Sequence, residues 1–115
     1  MAKVQELRTI EDAQAMLDAS NGQLVALLKH SIACPISARG QEQFVGLEGS
    51  DEPPLYAVVV QYAREVSNWL AEKLGVQHET PQVILIKDGL AVHDESHRRI
   101  KLEDLRAAID ELSAA

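Results

Sequence analysis

Cys34 is the residue in this chain best suited to covalent chemistry. It is the single cysteine among 115 residues, and it stands in Cys34-Pro35-Ile36-Ser37. A lone thiol forms no internal disulfide and builds no Cys-rich metal site. By default it is a small buried hydrophobe in a reducing compartment. Its neighbours argue otherwise. Pro35 suits the first turn of a helix, where its missing N–H costs nothing. Cys34 would then sit at a helix N-terminus, where unpaired N–H groups and the macrodipole stabilise a thiolate. The thiolate is the form that attacks disulfides, so its pKa should fall below the free value of about 8.5. Ser37, one helical turn on, could donate its hydroxyl to that thiolate. His30 and Lys29, just upstream, would lower the pKa further if they face the sulfur.

The spacing is that of Cys-x-x-Cys with serine in the second place. A dithiol resolves a mixed disulfide internally, whereas a monothiol must hold it until an outside thiol attacks. Proteins carrying a small-thiol cap are the natural substrates of such a site.

The elements that must position Cys34 follow from the pattern. Ile10, Ala13, Met16 and Leu17 have helical spacing after a Thr9 cap with Asp12 three residues on. Gln23 to Lys29 reads as a buried strand, and a helix from Pro35 to Val45 follows, with Ile36, Phe44 and Val45 as inward positions. Gly46 to Pro54 reads as a polar loop. Leu55 to Val60 is an uninterrupted β-branched run that suits a central strand. Ala63 to Leu74 is amphipathic through Val66, Trp69, Leu70 and Leu74, and Gly75 ends it. Gln82 to Lys87 and Leu90 to His93 are strands joined by the hairpin signal Asp88-Gly89. Leu102 to Leu112 carries a last apolar stripe.

The predicted order is αβαβαββα in one domain spanning 1–115. It is an α/β fold with a four-stranded mixed sheet and helices on both faces. Its first strand-to-helix junction, where Cys34 falls, is a ligand-binding edge in sheets of this kind. Thr80-Pro81 begins the third strand, opposite the helix that follows Cys34.

Composition bounds the partners. Hydrophobic residues are 46% and charged residues 25%, and the formal net charge is −7. Such an acidic balance argues against nucleic-acid binding through a basic surface. Met1-Ala2-Lys3 leads into polar sequence without a secretory core, and no run approaches a membrane span. A cytoplasmic protein with no membrane partner is expected.

These blocks together resemble a known family, the thioredoxin-fold monothiol bacilliredoxins of the bacillithiol system. The resemblance rests on Lys29-His30-Ser31, Cys34-Pro35-Ile36-Ser37, Arg64-Glu65-Val66-Ser67-Asn68, Gly75 to Gln82, Ile84 to Gly89 and Ser96-His97. It covers roughly Leu24 to Leu105. It implies a thioredoxin-like fold with a cis Thr80-Pro81 peptide beside the reactive cysteine, whereas an isolated X-Pro bond is usually trans. It implies that Cys34 removes bacillithiol from S-bacillithiolated client proteins, with bacillithiol as thiol co-substrate and no bound cofactor. Thr80 stands where the family pattern suggests Ser, and His93 where it suggests an aromatic residue.

On that reading Cys34, Pro35 and Ser37 are catalytic, and Thr80, Pro81, Arg64 and His30 bind substrate. Bacillithiol carries malate carboxylates, for which Arg64, Lys29, Arg39 and the Arg98-Arg99 pair are the available cations, Arg64 being favoured. A non-catalytic binding module and a redox sensor that dimerises through Cys34 are the competing readings. His78 fits a structural role in the loop before Pro81. His93, Asp94, Glu95 and His97 match no Cys/His zinc spacing.

Overall fold

The computed structural model describes residues 4–33, 35–49 and 53–113. Cys34 lies outside the described residues. Among the described residues, five strands form one sheet, ordered β1-β3-β2-β4-β5. The strands are β1 (Val4–Glu6), β2 (Leu24–His30), β3 (Leu55–Val59), β4 (Gln82–Lys87) and β5 (Leu90–Ser96). The helices are α1 (Ile10–Ala19), α2 (Pro35–Val45), α3 (Arg64–Leu74) and α4 (Leu102–Ser113).

β2 is central. It pairs parallel with β3 (His30 opposite Val59) and antiparallel with β4 (Lys29 opposite Gln82). The fifth strand, β1, is the departure from the four expected. It pairs parallel with β3 through three residues, Val4 opposite Leu55 to Glu6 opposite Ala57. Val-Gln-Glu is too short to show alternation, so its strand state comes from the β3 edge it joins.

Alternation along β2 sorts the core into two layers. Val25 and Leu27 pack with Ala13, Met16 and Leu17 of α1 and Val66 and Leu70 of α3. Leu24, Ala26 and Leu28 face the other way, against Phe44 of α2 and Leu105 and Ile109 of α4. The helices thus cover both faces, α1 and α3 on one and α2 and α4 on the other.

Local signals act where expected. Thr9 Oγ1 accepts from the Asp12 N–H (3.0 Å) while Asp12 Oδ2 accepts from the Thr9 N–H (3.2 Å), a complete capping box. The hairpin at Asp88-Gly89 has φ of 54° and 74°, the left-handed pair of a tight β-hairpin. Two expectations for the α2 region need correction. Val45 is exposed, and the inward face of α2 is Ser37, Gly40 and Phe44. Leu47, read as loop, is buried in the α2/α4 layer, in a 3₁₀ turn at Gly46–Gly49. Two helical turns from Gly40, its side chain continues the face that α2 presents.

Candidate active site

The site is built at the C-terminal end of β2. Residues 31–33 connect β2 to α2, which starts at Pro35, the residue after Cys34. Ser37 is completely buried, and its Oγ accepts the Ser31 N–H at 3.1 Å. That bond ties the start of the connection to the first turn of α2. The hydroxyl proton of Ser37 is not used by this bond and remains able to donate.

A second tie comes from a residue that the sequence did not single out. Gln61 follows β3, and its Nε2 donates to Ser31 Oγ at 2.8 Å while its Oε1 accepts the Ile32 N–H at 3.2 Å. Both ends of one amide hold the connection. An isolated Gln in a loop carries no sequence signal. The parallel pairing of β2 with β3 brings it there.

His30 and Lys29 are both buried, and they part company across the sheet. Lys29 shares the parity of Val25 and Leu27, so it points to α3. Its Nζ donates to the Ser67 carbonyl (3.1 Å) and lies 3.4 Å from His78 Nδ1. Ser67 Oγ is 3.2 Å from the same nitrogen. Lys29 therefore faces away from the α2 layer, so the condition under which it would act on the sulfur is not met on that side. Its burial lowers the ammonium pKa to about 8. His30 shares the parity of Leu28, on the α2 side. Burial lowers its pKa, and a hydrogen bond with the Ser37 backbone opposes that fall. His30 is thus neutral at pH 7. It offers a dipole and a buried Nδ1 without a hydrogen-bond partner among the described residues, rather than a positive charge.

The Thr80-Pro81 peptide is cis. Pro81 is buried, and its carbonyl accepts the His97 N–H at 2.8 Å. The side chain of His97 pairs with Glu79 (3.1 Å), and that of His93 with Glu95 (2.9 Å). The two histidines thus serve separate carboxylates. Gly40 of α2 faces this turn. A Cβ there would lie 3.0 Å from Pro81 Cβ, 3.1 Å from its Cγ and 3.3 Å from Ile100 Cδ1. The absence of a side chain at Gly40 lets α2 and the Pro81 turn touch. Gly40→Ala should accordingly destabilise. The helix-propensity gain of about 1 kcal/mol is outweighed by an overpacking cost of about 1–3 kcal/mol. Urea unfolding should show a net loss of about 1 kcal/mol; equal or higher stability would mean the contact is slack.

Arg64 opens α3 and is exposed. It lies close enough to His78 to help depress that imidazole's pKa, after burial and Lys29. Ile36 is half-buried and lines two cavities beside the site, of about 750 and 1050 Å³. Thr80 lines the smaller. Arg64 lines neither. The structure thus brings Pro35, Ser37 and His30 together with the Pro81 turn at one end of the central strands β2 and β4, with Arg64 on the α3 side of it.

The family model for monothiol bacilliredoxin BrxC matches residues 5–105. The chain belongs to the monothiol bacilliredoxin family. Solved structures agree with the fold expected of that family. One is described as a candidate oxidoreductase with a thioredoxin fold. It is 30% identical, with a TM-score of 0.84, over 92% of this chain and 93% of that one. The thioredoxin of Fasciola hepatica is 21% identical with a TM-score of 0.74, over 93% of this chain and 97% of its own. That of Malassezia sympodialis is 16% identical with a TM-score of 0.77, over 100% and 94%. The last two bear on the fold alone. Family and fold together assign the bacilliredoxin chain a redox oxidoreductase role. Among the described residues, no helix is long and apolar enough to cross a membrane.

Proposed function

We propose that this protein is a monothiol thiol-disulfide oxidoreductase that removes bacillithiol from S-bacillithiolated proteins. The match to the monothiol bacilliredoxin family carries the identity of the small thiol. The single cysteine, with a buried Ser37 three residues on, supports the monothiol course.

The Cys34 thiolate attacks the bacillithiol sulfur of the client's mixed disulfide. A Cys34–bacillithiol disulfide forms as the client–bacillithiol S–S bond breaks, and the client sulfur leaves as a thiolate that takes a proton from solvent. A second thiolate from outside then attacks the bacillithiol sulfur. It carries the bacillithiol away as a new disulfide and returns Cys34 as thiolate. Each step exchanges one S–S bond for another, so no further oxidant or reductant enters. Pro35 starts the helix whose N-terminus favours the thiolate. Ser37 and His30 are buried polar groups where β2 leads into α2, and the Thr80 backbone beside Pro81 is the strip along which the client chain lies. Clients carrying the cap, bacillithiol itself as co-substrate and a cytoplasmic location complete the reading.

Mass spectrometry after mixing with a bacillithiolated client tests it. The expected result is one bacillithiol on Cys34 and a free client thiol. A client that stays modified while Cys34 gains nothing would point to a binding module without turnover. Ser37→Cys offers a second test. The introduced thiol should attack the Cys34 mixed disulfide and expel free bacillithiol, leaving an internal disulfide. Bacillithiol release without added thiol should then rise from background to near one equivalent. A stable adduct on that variant would mean that the buried position is closed to the sulfur.

A further inference from the structure

Bacillithiol ends in malate, so its cap presents two carboxylates, and the larger cavity has the charge to meet them. It lies between α2 and residues 97–106 and encloses about 1050 Å³. Arg39, Arg98, Lys101 and Arg106 line it against the carboxylates Glu42 and Glu103. Cations thus outnumber anions four to two there, on a chain of net charge −7. The smaller cavity has no such excess, because Glu79 and Asp94 offset Arg98 and Arg99. Arg39, Arg98 and Lys101 are exposed, and their side chains make no ion pair or hydrogen bond among the described residues. Arg106 donates to the Gly46 carbonyl at 3.0 Å.

The cavity also starts at the right place. Ile36, two residues past Cys34, lines it, and so does Gln43, seven residues further along α2. At about 1.5 Å of rise per residue this is roughly 10 Å along the helix. That span is comparable with the extended reach of a cysteinyl-glucosaminyl-malate from sulfur to carboxylates. We infer that the groove between α2 and residues 97–106 seats the malate dicarboxylate of the cap, with Arg98 and Lys101 as its principal cations, while the sulfur meets Cys34. The inference rests on the bacillithiol reading above, and it moves carboxylate recognition from Arg64 to the opposite side of the site. Arginine suits the task because its guanidinium meets a carboxylate in a two-pronged geometry.

The carboxylates could come from the cap or from acidic residues of a client, so the test uses protein-free disulfides. Rates of Cys34 modification are measured with bacillithiol disulfide and with the disulfide of cysteinyl-glucosamine, which lacks malate. In the double variant Arg98→Glu, Lys101→Glu the first rate should fall roughly tenfold and the second by less than twofold. Equal slowing of both, or of neither, overturns the inference. So does a selective loss that appears in Arg64→Glu and not in the double variant. Selectivity found solely with protein clients would assign the groove to client acids and overturn it too. Failure of the parent reading looks different, because wild-type Cys34 would then take no thiol from bacillithiol disulfide. The groove is judged separately by titrating free malate into the Cys34→Ser protein and following backbone amide shifts. Shifts at Arg39, Arg98 and Lys101 that vanish in the charge-reversed double variant uphold it, and their absence sinks it.

Discussion

Cys34→Ser is expected to abolish transfer of bacillithiol, lowering the rate by at least about a thousandfold, to the uncatalysed background. A serine hydroxyl does not ionise near neutral pH, and no other sulfur nucleophile of the chain besides cysteine exists to replace it. Folding should be unaffected. The flanking Ala33 and Pro35 are exposed, and substitutions outside packed regions usually stay within about 0.5 kcal/mol. The check pairs client de-thiolation with a urea titration of the same sample. Transfer that survives in a folded Cys34→Ser protein would remove the proposed mechanism altogether. The pH dependence sharpens the prediction. The rate of Cys34 alkylation should rise with pH and level off below about 8.5, the value of an unperturbed thiol. Burial lowers the His30 pKa and so disfavours its charged form, so the depression should come from the helix N-terminus and local hydrogen bonds. It should therefore persist in His30→Gln. A midpoint at or above the free value would favour a binding module.

Lys29→Met should make the protein more stable at pH 7, by up to about 3 kcal/mol. Lys29 is wholly buried between β2 and α3, and burial lowers its pKa from 10.5 to about 8. The sign follows from proton counting. Between about pH 8 and 10.5 the unfolded lysine holds a proton that the folded one has lost. Stability of the wild type therefore rises with pH across that window. Below it both states are charged, and the full desolvation cost is present. Methionine matches the volume without the charge, and replacing buried charges by packed hydrophobes is often stabilising. The variant should accordingly lead at pH 7 and lose its advantage toward pH 10.5, as measured by urea midpoints at several pH values. A wild type that loses stability from pH 8 to 10 would show that the Ser67 and His78 contacts more than compensate for burial. The ring of His78 should keep its place in the variant through Ser67 Oγ.

Much of the site was legible because its logic is local. A thiol, the proline after it and a serine three residues on are read together without tertiary help. So is a proline at the start of a strand, and the capping box at Thr9-Asp12 closes as its spacing requires. The strand and helix order followed from periods of two and 3.6, since each element buries one face or stripe. The family resemblance supplied the cis state of Thr80-Pro81 and the identity of the small thiol, neither of which periodicity encodes.

Other features were decided by the packing of distant segments. Lys29 and His30 are adjacent and both polar, yet one runs under α3 and the other toward α2, because a strand sends neighbours to opposite faces. Their sequence names two cations beside Cys34; the sheet leaves a neutral imidazole on that side. Gln61 acquires its role from the parallel pairing of β2 and β3, and Gly40 from the approach of α2 to Pro81. The short strand at Val4–Glu6 exists through the edge of β3. The sequence by itself determined that one thiol is available, at Cys34 with serine three residues on, and the order of the elements around it. Tertiary structure decided which groups surround that end of α2, since burial and facing depend on contacts between residues far apart in the chain.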